Sequence, residues 1–145
     1  MDRLIIEKKL DSLQRCLERI RSKAPLDVAS LIRDLDLQDV LVLNLTRAVQ
    51  LCVDIAVHIL TERRQPPPET MGRAFELLAQ ENLLDPALAQ RLKKSVGFRN
   101  LAVHNYEAIN WAIVHSIATR NLKDFDDFAR SVIATALTGS GDRDG

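Results

Sequence analysis

The chain has 145 residues, enough to bury one sizeable core but not two, so a single domain is expected. Twenty basic and twenty acidic residues cancel, which excludes a global field that would hold a polyanion, so any contact with nucleic acid must be a local patch. A hydrophobic share of 46% with only 4% aromatics, and glycine and proline spread thinly, favours aliphatic helix packing over sheet, and the expected class is all-α.

In chain order, Leu4, Ile5, Leu10, Leu13, Cys16, Leu17 and Ile20 follow helical spacing and mark a first amphipathic helix over residues 3 to 22. Pro25 interrupts it, and Leu26 to Leu35 reads as a helical turn or two before Asp36 or Gln38 opens a long helix. From about Asp39 to Arg64 the sequence is nearly continuously apolar, with Val42, Leu45, Val49, Cys52, Ala56 and Ile59 down one side, which places this helix at the centre of a bundle. Pro66-Pro67-Pro68 cannot continue a helix and makes an extended, exposed spacer, after which Glu69 or Thr70 begins a third helix through Leu78. Asp85-Pro86 pairs an N-cap with a proline at the first helical position, and the fourth helix it starts carries Leu88, Leu92, Val96 and Phe98. Asn110 caps a fifth segment through about Arg120, and Leu122 to Leu137 reads as a final amphipathic helix with Phe125, Phe128, Val132 and Ile133 apolar. The domain is therefore taken as 1–137, with TGSGDRDG at 138–145 as a frayed tail. Neither Cys16 nor Cys52 has zinc-type or redox-type spacing, so both read as buried reduced thiols. With no signal-type segment after Met1 and no long uncharged stretch, a cytoplasmic protein without membrane contact is expected.

The fourth helix ends in the string Arg99-Asn100-Leu101-Ala102-Val103-His104-Asn105-Tyr106. It sets a permanent cation with a fixed fork of donors, a side chain that exchanges protons near neutral pH, and a phenol within eight residues. Those are the parts of a metal-free phosphodiester site. Taken singly, the arginine would bind helix carbonyls, the histidine a surface partner and the tyrosine an apolar neighbour; their combination carries the functional reading. On an unbroken helix Arg99 and His104 are roughly 140° apart. Either the helix ends around Val103, with Asn105 able to turn left-handed, or the two groups meet partners from another protomer, or both hold. A twofold homodimer that brings two copies of the segment together would gather two arginines and two histidines around one cleft. Asp54 and His58 share a face of the core helix with Arg47 and Leu51, which reads equally as a hydrogen-bonded seam and as part of a nucleic-acid cleft. The three histidines His58, His104 and His115 lack short zinc-ligand spacing, and no metal is expected.

Together with its Gly97-Phe98 lead-in, the string resembles the Arg-x4-His-x-Tyr signature of HEPN domains, specifically the HepT-like toxins paired with minimal nucleotidyltransferase antitoxins. CVDIAVHIL in the core helix looks like the Asp-centred segment of the same family, and the resemblance extends over about residues 3 to 135. It implies a HEPN-like bundle of about five to six helices, dimeric, and the toxin component of a type VII-like toxin–antitoxin system. The implied activity is a metal-independent endoribonuclease without cofactor. His104 would act as base on the ribose 2′-hydroxyl or acid on the leaving oxygen, and Arg99 would stabilise the charged phosphorane. Only RNA would be cut, leaving a cyclic or 3′ phosphate and a 5′ hydroxyl. The resemblance also implies that a partner nucleotidyltransferase adenylylates Tyr106 and so neutralises the toxin. Asn100, Asn105 and Asp54 are possible supporting residues, and Arg91, Lys93 and Lys94 either hold distant phosphates or form a solvated face. The sequence has no Gly-rich phosphate loop or paired-carboxylate motif of its own for nucleotidyl transfer. The rival readings are a non-catalytic nucleotide- or partner-binding subunit and a plain helical dimerisation domain.

Overall fold

Side-chain caps set five of the helix starts among the described residues. The computed structural model describes residues 3–137, which form helices and no strand; the expected tail at 138–145 lies outside the described residues. α1 (Arg3–Lys23) stops before Pro25, and α2 (Val28–Ile32) is the short segment that follows, capped by Asp27, which accepts the Ser30 N–H at 2.8 Å. α3 (Leu35–Glu62) opens earlier than Asp36 or Gln38, because the Asp34 carboxylate takes the Leu37 N–H at 3.0 Å. Gln38 is left to join α2 to α3. Its buried amide donates to the Leu31 and Ile32 carbonyls at 3.0 and 3.1 Å, satisfying the end of α2. Arg64 takes a left-handed backbone (φ 60°) just after α3, and the prolines follow.

Thr70 caps α4 (Met71–Gln80) by accepting the Arg73 N–H at 3.2 Å. Asp85 caps α5 (Pro86–His104) at 3.0 Å with Pro86 inside its first turn, as its sequence requires. A single 3-10 turn (Tyr106–Ala108) leads to α6 (Trp111–Thr119), where Asn110 accepts from the Ala112 and Ile113 N–H groups. α7 (Lys123–Ser131) runs on as a π-helical segment, Val132–Leu137. The five or six expected helices are all present, and among the described residues α2 adds a seventh.

α3 is the axis of the bundle. All six residues of its expected apolar face, Val42 through Ile59, are buried, and α1, α4 and α5 pack around it. Its length and hydropathy would let it cross a membrane, yet 56% of its most apolar window is buried against this chain's own helices. Burying that face contributes about 1.5–3 kcal/mol per large aliphatic side chain. Phe75 of α4 and Phe128 of α7 meet edge to face, with ring centroids 5.8 Å apart, and close the other side of the core. Arg91 of α5 donates to the buried Asp124 of α7 at 3.0 Å, and Arg21 of α1 pairs with Asp126. Cys16 and Cys52 are free and buried, and burial pushes both thiols up, so they stay neutral.

Candidate functional site

Along α5, Leu88, Leu92, Val96 and Arg99 recur at three- and four-residue steps, so the arginine stands on the stripe whose other members face the core. Its Nη1 donates to Asn100 Oδ1 at 3.1 Å, while its Nε is buried and has no hydrogen-bond partner among the described residues. A buried donor left unpaired costs about 1–3 kcal/mol, a cost that an acceptor from outside the chain would remove. His104 is the last residue of α5; it is exposed, and its side chain bonds to no described residue.

The helix ends at His104, one residue past Val103, but Asn105 does not turn left-handed. Its φ of −151° is extended backbone, and its N–H still reaches the Leu101 carbonyl at 2.8 Å. Reversal is left to the 3-10 turn, whose Ala108 and Ile109 N–H groups return to Asn105 and Tyr106. Arg99 and His104 therefore keep helical phase, roughly 140° apart, and the chain alone does not bring them together.

Tyr106 is fixed from two sides. Its ring meets Trp111 edge-on at 6.0 Å, and its hydroxyl donates to Asp39 Oδ1 at 2.7 Å. Asp39 lies five residues into α3, so this bond ties the end of α5 to the beginning of the central helix. Partial burial of the hydroxyl, with the Asp39 carboxylate accepting from it, pushes the phenol up to about 12. No sequence signal points to this role for Asp39, which reads there only as the start of an apolar helix.

The other candidates are spread out. Asp54 accepts from Gln50 at 2.8 Å and pairs with Lys9 at 3.6 Å, while His58 faces Glu62 at 3.9 Å. At 1.5 Å per residue, Asp54 sits about 22 Å along α3 from Asp39 and is not brought to the motif within the chain. His115 bonds the Pro25 carbonyl at 2.8 Å, which docks α6 on the α1–α2 connection. Asn100 serves Arg99, and Asn105 caps α5 through its backbone. Arg91 and Lys93 are committed to Asp124 and Glu76, whereas Lys94 faces a groove of about 580 Å³ between α5, α6 and α7. Among the described residues no three His, Cys, Asp or Glu side chains gather as a metal site.

Comparison with known proteins gives this arrangement a family. The chain is 40% identical to the mRNA nuclease HepT of Shewanella oneidensis over 124 residues, 86% of this chain and 92% of the relative. It is 25% identical to the tRNA nuclease HepT of Aphanizomenon flos-aquae over 135 residues, 93% of this chain and 92% of that one. Among solved structures it matches the tri-AMPylated HEPN toxin of Shewanella oneidensis in complex with MNT antitoxin, with a TM-score of 0.84 and 38% identity over 90% of this chain and 97% of that chain. A family model described as Ribonuclease HepT-like matches residues 13–132, nearly the whole bundle with its Arg99–Tyr106 segment, and the chain belongs to that family.

Proposed function

We propose that this chain is the toxin of a toxin–antitoxin pair, an endoribonuclease that cuts RNA without a metal through Arg99 and His104. One observation carries the assignment of these two residues: both side chains have free donor capacity, whereas Arg91 and Lys93, earlier on the same helix, are spent on ion pairs. His104 takes the proton of the ribose 2′-hydroxyl, the oxygen attacks the adjacent phosphorus, and the leaving 5′-oxygen is protonated by a second histidine or by water. The Arg99 fork binds the phosphorane oxygens as negative charge accumulates on them. Because the two groups diverge on one helix, a twofold dimer supplies Arg99 from one protomer and His104 from its partner. Purified protein incubated with mixed cellular RNA in EDTA is expected to give fragments with 5′-hydroxyl ends and cyclic or 3′ phosphates; 5′-phosphate ends would overturn the 2′-hydroxyl mechanism.

Neutralisation is assigned to Tyr106, on the precedent of the AMPylated HEPN toxin bound to its MNT antitoxin. A partner nucleotidyltransferase presents ATP, Tyr106 Oη attacks the α-phosphorus, diphosphate leaves, and the phenolic proton passes to the Asp39 carboxylate that already accepts it. A phenol held at about 12 stays protonated at neutral pH, which makes a base at that position useful. The AMP group then puts a bulky anion beside the motif and competes for its phosphate-binding donors. Tyr106→Phe is expected to abolish labelling by the cognate enzyme from ATP radiolabelled at the α-phosphate, and undiminished labelling would remove Tyr106 from this role.

A further inference from the structure

A second concave surface is formed on α3 itself, away from the groove between α5, α6 and α7. A cavity of about 570 Å³ opens between α1 and α3, walled by Ser12, Arg15 and Arg19 on one helix and Leu43, Asn44 and Arg47 on the other. Ser12, Arg15 and Arg19 fall at steps of three and four on α1, and Leu43 and Arg47 four apart on α3, so two facing stripes converge on one hollow. Among the described residues no acidic side chain lines it. Neither the Arg19 nor the Arg47 guanidinium has a partner among the described residues, and Arg15 is held only by Ser12 Oγ at 3.0 Å. The two arginines Arg15 and Arg47 both pull the thiol of Cys16 downward against the larger effect of burial, which sets both charges close around the cavity wall.

What sets the three arginines apart is that they share one cavity. Several basic side chains elsewhere are matched to acids, as in Lys9–Asp54, Arg21–Asp126, Arg63–Glu81 and Arg91–Asp124, and among the described residues those that are not do not gather three to one hollow with facing stripes. With equal numbers of acids and bases overall, three uncompensated guanidinium groups in one hollow are a local excess that repels itself until an anion enters. The guanidinium fork suits phosphate oxygens, which accept two parallel hydrogen bonds from it. Position adds a direction. Val40 belongs to the cavity wall and follows Asp39, whose carboxylate holds Tyr106; Arg47 lies about 12 Å further along α3.

We propose that Arg15, Arg19 and Arg47 form a phosphate-binding track that holds the RNA backbone beside the cleavage site. The proposal rests on the ribonuclease reading and adds a binding surface to it. The track is sequence-independent, since it contacts phosphates and no base edges. It gives a neutral chain the local patch that a polyanionic substrate requires.

The test uses the non-cleaving His104→Ala protein and a fluorescein-labelled, mixed-sequence single-stranded RNA, titrated over a range of salt. Changing Arg15, Arg19 and Arg47 together to Gln is expected to reduce the slope of log K against log salt by about 2, at ~0.7 per lost phosphate contact. Arg19→Gln alone, a milder change at an exposed position, is expected to reduce it by about 0.7. A control that removes the same charge elsewhere, Arg64, Arg73 and Arg130 to Gln, leaves the slope as it was. In the cleaving protein the triple substitution raises KM for RNA more than it lowers kcat. An unchanged slope in both track variants would overturn the proposal, as would a triple variant that keeps RNA affinity and loses only its hold on the nucleotidyltransferase. Wild-type protein that neither binds nor cuts RNA strikes the ribonuclease reading itself; wild-type cleavage with the triple variant unimpaired strikes the track alone.

Discussion

His104→Ala leaves the bundle folded and lowers RNA cleavage by about 10²–10⁴-fold, the usual range for loss of a general acid–base. Stability is spared because His104 is exposed, ends its helix and bonds to no described residue through its side chain; at most a helix-dipole contribution of about 0.3–1 kcal/mol is lost when it is protonated. Arg99→Ala is expected to lower cleavage by about 10²–10³-fold, the range for removal of one transition-state donor, and to relieve an unpaired buried Nε at the same time. The helical phase of the two residues adds a sharper expectation. Each variant is strongly impaired alone, but dimers assembled from one Arg99→Ala and one His104→Ala protomer regain cleavage, since each supplies what the other lacks. The measurement is initial cleavage rate after co-refolding at a fixed total concentration. Mixed dimers as inactive as the parents would place Arg99 and His104 of the same chain in one site.

The helices are legible in the sequence because their signals are local. Asp85-Pro86, Thr70 and Asn110 each declare a start through a side chain that bonds an N–H two or three residues on, and such bonds depend only on nearby sequence. Where two nearby carboxylates compete, the local signal points too late: Asp36 reads as the opening of α3, whereas Asp34 makes the bond that starts it. The motif is legible as chemistry and less so as geometry. Asn105 is a residue that tolerates a left-handed turn, but a 3-10 turn supplies the reversal without one. Asp39 is invisible because its partner lies 67 positions away, and no spacing rule connects them. For Asp54 the same holds only of Lys9, on a different helix; Gln50, four residues before it, takes its carboxylate at the same spacing at which His58, four residues after it, is the evident partner. The arginine cavity is hidden for a related reason, since Arg47 shares it with two arginines of a different helix.

The largest stability effect is expected at Phe128. It is fully buried on α7 and meets the equally buried Phe75 of α4 at 5.8 Å and 89°. Phe128→Ala removes a large apolar side chain and leaves a cavity that helices on either side fill only partly, a loss of about 3–5 kcal/mol. Part of that loss, about 0.5–1.5 kcal/mol, belongs to the edge-to-face pair itself. For a domain of this size each kcal/mol lowers Tm by about 3 °C, so a fall of about 10 °C or more is expected in a thermal melt, with a matching drop in denaturant midpoint. Phe128→Leu, which keeps most of the volume, should cost less than about 1.5 kcal/mol. A loss below about 1 kcal/mol for the alanine variant would mean that α7 contributes little to the core. The consequence for function is indirect: α7 also holds Asp124 against Arg91, so loosening it frees one flank of α5. Cleavage by Phe128→Ala should therefore survive at low temperature and vanish well below the wild-type melting point, whereas His104→Ala is impaired at every temperature. That difference separates a residue that keeps α5 in place from one that performs chemistry at its end.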